Sequence, residues 1–175
     1  RARHRRRSPP HRGLAVNPHL KQTLESAFRE CETHRQKIQR AQLLLQPLFP
    51  LTVTVFEQLS EEDVEHLDQL IYRFTKMQDA MGKRLFPSIH GLLEESSDPV
   101  AFLDILHRLE KLGVLTSVAA WQLFRNLRNN LAHDYPEGVS QTVDTLNLLI
   151  ERMRAFIGLF KTAQKDWQRR MSARA

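Results

Sequence analysis

This 175-residue chain predicts an all-α fold, an antiparallel bundle of about five helices. Three observations carry that expectation. Apolar residues recur at three- and four-residue spacing through most of the chain. Glycine is sparse, at six residues, and turn clusters are few. Asn, Ser or Asp stands just ahead of several apolar runs, where a short polar side chain satisfies orphan helix N–H groups.

Taken in order, Asn17 caps a first helix with Pro18 at its first position. Leu20, Leu24, Phe28, Cys31, Ile38 and Leu45 line its apolar face, and Pro47 and Pro50 end it. Leu51–Leu59 alternates Thr and Val, which suits a short strand or the approach to the next helix; the second reading is preferred. Ser60 and Asp63 make a capping box with the shorter acid. The helix behind it is expected to turn Val64, Leu67, Leu70, Ile71, Phe74, Met77, Met81 and Leu85 inward. Pro87 should interrupt it, leaving a short continuation through Leu93. Asp98-Pro99 repeats the cap-then-proline logic for a helix ending at Gly113. Thr116 or Ser117 opens the next helix, whose Leu123, Leu127 and Leu131 recur every four positions and so belong to the core. Gly138 and Ser140 precede a last helix with Val143, Leu146, Leu149, Ile150, Met153, Phe156, Ile157 and Phe160 on one broad face. Its polar end, Lys165–Ala175, is expected to fray.

A hydrophobic content of 41% can supply a core for one domain. No apolar run approaches the roughly 18 residues of a membrane span, and none resembles a secretory signal. A single cysteine, Cys31, excludes an internal disulfide and fits a reducing, cytoplasmic setting. The formal charge of +6 is concentrated at one end. Arg1, Arg3, Arg5, Arg6, Arg7 and Arg12 stand in a stretch without acids, while the rest of the chain balances its charges. Residues 1–16 therefore read as a basic, disordered tail, able to touch phosphates nonspecifically. The first methionine is Met77, so the tail need not be native. Residues 17–170 read as a single helical domain.

Chemistry is concentrated in Arg128-Asn129-Asn130-Leu131-Ala132-His133-Asp134-Tyr135, where the helical pattern stops before Pro136. Arginine is permanently charged and suits phosphate oxygens. Histidine can move a proton near neutrality. The two are minimal equipment for cutting an RNA backbone without a metal. Arg128 and His133 lie five positions apart, roughly 140° around a helix, and do not share a face. A site using both needs an unwound helix end, which Pro136 favours at Tyr135, or a second copy of the motif. Asn129 stands four residues before His133 and can steady the imidazole, and Arg125 shares that stripe. A plainer reading also exists. Cations near a helix C-terminus suit the dipole, and Tyr135 can simply pack beside the bundle.

The longer string Arg-Asn-x-x-Ala-His-Asp-Tyr, at the end of a penultimate helix, resembles the HEPN superfamily and in particular its HepT-like toxins. Arg128, Asn129, His133 and Tyr135 match that signature, and Tyr72–Ala80 resembles the family's second long helix. The resemblance covers roughly residues 20–165 in architecture, with the eight-residue motif its specific part. It implies a homodimeric, metal-independent endoribonuclease whose motif helices meet across a two-fold axis. His133 would be the general base on the ribose 2′-hydroxyl, and Arg128 would stabilise charge on the phosphoryl oxygens. Asn129 would orient the histidine or the phosphate, and Tyr135, beside Asp134, would support the cleft. The implied partner is a minimal nucleotidyltransferase (MntA-like) antitoxin that adds AMP to Tyr135. The added bulk and charge would fall where RNA phosphate must sit. Candidate RNA contacts besides the motif are Arg125, Lys76, Lys83 and Arg84.

No cofactor is expected. His66 with Asp63 or Glu62, and His133 with Asp134, lack a third ligand at helical spacing, so no metal site is expected. Met77, Met81 and Phe74 read as core, Cys31 as an inert buried thiol, and no glycine-rich phosphate loop is present. The competing readings are a HEPN module that binds nucleotide or presents substrate without catalysis, and an interaction protein with no active site. The Arg128/His133 pair favours the enzyme, because a binding module has no use for a general base.

Overall fold

The computed structural model describes residues 17–94, 99–132 and 138–173, and every structural statement below concerns these residues. The elements are α1 (Pro18–Leu45), α2 (Val53–Glu57), α3 (Glu61–Ala80), α4 (Phe86–Glu94), α5 (Phe102–Lys111), α6 (Val118–Ala132) and α7 (Val139–Ser172). No strand occurs among the described residues. A π-helical turn, Met81–Leu85, joins α3 to α4 without a break, so the chain forms five rods and the short α2. The fold is all-α.

Local chemistry explains most starts and stops. Asn17 Oδ1 accepts from the His19 and Leu20 N–H groups at 3.2 and 3.3 Å, with Pro18 beginning α1. Leu51–Leu59 contains α2, capped by Thr52, rather than a strand. Ser60 Oγ accepts from the Asp63 N–H at 3.1 Å and donates to its carboxylate at 2.7 Å. The reciprocal arm of this capping box thus ends on the hydroxyl and not on the backbone. Gly113, at φ 75°, closes α5. The Val114 N–H reaches Leu109 O and the Gly113 N–H reaches Glu110 O, the paired bonds of a Schellman turn. Ser117 caps α6 by accepting from the Ala120 N–H at 3.0 Å.

Several expectations are corrected. Val64 is 42% exposed instead of turned inward, because it lies past the edge of the stripe formed by Leu67, Leu70 and Phe74. Pro87 does not interrupt its helix. In α register its ring would meet the Lys83 carbonyl. The π turn widens the helix, with the Phe86 N–H reaching back to Met81 O, and Pro87 becomes the second residue of α4, where a missing N–H costs little. The helix expected from Asp98-Pro99 begins only at Phe102, with Ala101 at the cap position and no side-chain cap; Asp98 itself lies outside the described residues. Ser140 lies inside α7, which starts at Val139. The end of α7 does not fray before Ser172. Asp166 is buried and binds Arg169 and Arg170 at 2.6 and 2.5 Å, and Arg170 also donates to the Leu112 carbonyl at 3.1 Å. The last turns of the longest helix are therefore tied to the end of α5.

The core lies between α1, the α3–α4 rod, α6 and α7. Phe74, Phe124 and Phe156 meet edge-to-face at its centre, with centroids 4.8 to 6.4 Å apart. Full burial of each ring is worth about 1.5–3 kcal/mol. On α1, Leu24, Cys31, Ile38 and Leu45 are buried as expected, whereas Leu20 and Phe28 are only partly covered. On α6 the fully buried side chains are Val118, Trp121, Phe124 and Leu127, with Leu123 and Leu131 at the margin. Gly82 sets how closely α6 approaches the α3–α4 rod, since a Cβ there would stand 3.1 Å from the Trp121 ring. Trp121 also packs against Phe86 and Phe102 at 5.1 and 6.2 Å. At the far end Asn147 of α7 bonds both the N–H and the carbonyl of Leu51, at 2.7 and 2.9 Å. No helix among the described residues is long and apolar enough to cross a membrane.

Candidate functional site

The packing of α6 brings one predicted site residue against α3. Trp121 sits over Gly82 and Phe86, while Arg128, two turns on, reaches back to Asp79. The two helices therefore run antiparallel, and the C-terminal end of α6 heads toward the N-terminal half of α3. Arg128 is half-buried and forms an ion pair with Asp79, its Nη2 standing 3.0 Å from Oδ1. Lys83, one turn further along the rod, approaches the same oxygen at 3.4 Å. One carboxylate thus serves two cations. Arginine has five N–H donors. The single ion-pair contact to Asp79 leaves other donors for a ligand.

Lys76 continues this row. Lys76 and Asp79 are three apart on one face of α3, and Lys83 follows four residues on in the π turn. Lys76 is exposed, with its ammonium 5.6 Å from the centroid of the Tyr72 ring. On α6, Arg125 and Asn129 are exposed, and neither makes a side-chain hydrogen bond or ion pair among the described residues. Arg128 and Lys83 thus share one anion, Asp79, with Lys76 and Arg125 exposed on the same two helices. That surplus of positive charge suits a polyanion.

Arg84 does not belong to this group. It points to α1, where it pairs with Glu30. The same α1–α3 seam holds His34, 7% exposed, with its Nε2 3.6 Å from Glu30 and its Nδ1 3.4 Å from Arg73. A guanidinium can only donate, so Nδ1 accepts and the ring is neutral with its proton on Nε2. Burial and the Arg73 charge hold the His34 pKa below the ordinary imidazole range, against an opposing pull from Glu30. Burial raises Glu30, but the hydrogen bond and charge of Arg84, aided by His34, outweigh it and leave the carboxyl below its usual range. Beside this cluster burial pushes the Cys31 thiol up to about 12, which makes it inert as a nucleophile. Arg84 is thus a seam residue rather than an RNA contact.

His133, Asp134 and Tyr135 lie outside the described residues, as does the basic tail 1–16. His66 stands 3.7 Å from Glu62, and no group of three metal-binding side chains occurs among the described residues. Sequence reasoning missed Asp79 as the partner of Arg128. No local pattern links two residues on separate rods. It also gave no role to Tyr72, although a large aromatic off the apolar stripe is itself a signal. In comparisons with models of protein families, with curated proteins and with solved structures, nothing matches this chain.

Proposed function

We propose that the chain is a metal-independent endoribonuclease, a HepT-like toxin of the HEPN superfamily, active as a homodimer through its motif helices. The observation that carries this reading is Arg128. It is ion-paired to Asp79 beside Lys83, has donors to spare and lies on the helix whose last residue, Ala132, immediately precedes His133. In this reading His133 takes the proton of a ribose 2′-hydroxyl. The 2′ oxygen attacks the adjacent phosphorus, and Arg128 neutralises charge on the non-bridging oxygens. The 5′ oxygen leaves and takes a proton from solvent, giving a 2′,3′-cyclic phosphate and a 5′-hydroxyl. Asn129 orients the imidazole or the phosphate, and a second protomer completes the cleft. A nucleotidyltransferase antitoxin silences the enzyme by adding AMP to Tyr135, in a cytoplasmic setting.

Purified protein incubated with RNA in EDTA tests the reading. Cleavage should survive the chelator, spare DNA, and disappear in both Arg128→Ala and His133→Ala. A His133→Ala protein that cuts as fast as wild type would overturn it.

A further inference from the structure

We infer that the exposed face of α3 is a binding track for single-stranded RNA, with Tyr72 as the platform on which a base stacks. This rests on the ribonuclease reading for the identity of the strand, and it adds a subsite that the reading does not contain.

The geometry begins with Tyr72. It is 51% exposed, and it is the only aromatic among the large hydrophobic side chains that stand exposed in the described residues. Nothing in the core uses it, since the stripe of α3 is complete with Leu67, Leu70, Phe74 and Met77. The ring is nonetheless held. The guanidinium carbon of Arg73 lies 5.3 Å from its centroid and the ammonium of Lys76 lies 5.6 Å from it. Arg73 is anchored from behind by His34. Both cations lie over the ring, so a base would stack on Tyr72 by displacing the exposed Lys76 ammonium, which is then free for the strand's phosphate, while Arg73 stays on His34.

Placement adds to this. Tyr72, Lys76 and Asp79 succeed one another at four and three residues, a single row on the helix surface, and Lys83 follows four residues on in the π turn. Tyr72 lies roughly 10 Å along the axis from Asp79, and hence from the Arg128 guanidinium that Asp79 holds. Because α6 runs antiparallel to α3, its C-terminal end points toward the Lys76 and Tyr72 end of the row. A strand whose phosphate sits on Arg128 is thereby led over Lys76 to the tyrosine. The row also has an end. Asp68, one turn before Tyr72, and Glu65 before it are exposed carboxylates that repel a backbone. The track is therefore short, spanning Lys83 to Tyr72. A paired base is buried in its own stack and cannot lie on the ring, so the surface selects unpaired RNA.

The test is binding, measured apart from cleavage. A fluorescent 2′-O-methyl oligonucleotide cannot be cut by attack of its 2′ oxygen, and its anisotropy reports affinity for the full-length protein. The single strand should bind more tightly than the same strand in a duplex. Tyr72→Ala should weaken it about tenfold, while Tyr72→Phe should keep most of the affinity. Lys76→Ala should weaken binding and lower the salt slope by about 0.7. Equal affinity of Tyr72→Ala and wild type for the strand overturns the track, and so does equal affinity for duplex and single strand. A change in oligomeric state in Tyr72→Ala with no change in strand affinity would instead make Tyr72 a protein contact. The two readings separate cleanly. If the strand binds through Tyr72 but wild-type protein leaves ordinary RNA intact, the track stands and the ribonuclease falls. If wild-type protein cuts RNA and Tyr72→Ala cuts with an unchanged KM, the ribonuclease stands and the track falls.

Discussion

Two flanks of the rod that begins with α3 carry charge, and they do opposite things with it. Toward α1, Arg84 is paired to Glu30 and Arg73 rests on a neutral, buried His34. Toward α6, Asp79 is shared by Arg128 and Lys83 while Lys76 and Arg125 face outward. The first arrangement closes upon itself and joins two helices. The second leaves positive charge over and joins the helices only in part. The α1 flank joins two helices, and the α6 flank, where Arg128 and Lys83 share the one carboxylate of Asp79, is the candidate site.

Phe74, which packs between the two flanks, offers the largest perturbation. Phe74→Ala should cost about 3–5 kcal/mol in chemical denaturation, because it empties the centre of the aromatic trio and loosens both flanks together. A loss under about 1 kcal/mol would mean the flanks are held independently. Next comes Arg128→Ala, expected to reduce RNA cleavage by about 10²–10³ while leaving the denaturation midpoint nearly unchanged. Arg84→Ala should do the reverse, with cleavage intact and stability lower by about 1 kcal/mol or less, since the Arg84–Glu30 pair is partly screened by solvent. If Arg84→Ala impaired cleavage as much as Arg128→Ala, the division between seam and site would fail.

Acidity should find the seam first. The unfolded chain binds a proton at His34 more readily than the folded chain, because burial, the Arg73 charge and, more weakly, Lys76 disfavour the imidazolium despite Glu30. The stability this contributes is complete above the ordinary histidine value of 6.5 and is lost as pH falls toward the lowered folded value. Denaturation midpoints of wild type should therefore decline as pH drops below 6.5, and His34→Gln should flatten that decline. A second decline belongs to carboxylates. The Arg35 hydrogen bond brings Glu32 down to about 2 despite burial, with help from Lys161, so its contribution is complete above 4.5 and is lost progressively as pH falls from 4.5 toward 2. The smallest effect is expected at Gln78, whose buried amide finds no partner among the described residues on the way to α6. Gln78→Met should raise stability by about 1 kcal/mol or less, and a loss would show that the amide is satisfied after all.

What could be read from sequence alone divides along similar lines. The caps at Asn17, Ser60 and Ser117 and the Gly113 stop are settled within a few residues of chain, so short-range pattern revealed them. The buried stripes of α1 and α7 arise from periodicity. The secured end of α7 was not legible, because Asp166 looks like any polar residue until Arg169, Arg170 and the Leu112 carbonyl surround it. Nor was the anchoring of Arg128, whose partner lies on another rod at a depth set by Gly82 and Trp121. Arg84 and Lys83 are neighbours in sequence with the same charge, yet the roughly 100° step between them around the helix sends them to different flanks.

That divergence occurs inside the π turn, Met81–Leu85. A π turn amounts to one residue inserted into an α-helix, and its wider turn absorbs the roughly 100° that the residue would otherwise add. The turn shifts the phase of the sequence pattern without turning the rod. On one side the face bearing Asp79 is aimed at Arg128, and on the other Phe86 and Ile89 are aimed into the core. Deleting one residue from the turn would close it to ordinary pitch and set the Pro87 ring against the carbonyl four residues before it. The insertion therefore keeps the half bearing Asp79 and the half bearing Phe86 and Ile89 aimed at their partners although their sequence patterns are one residue out of step.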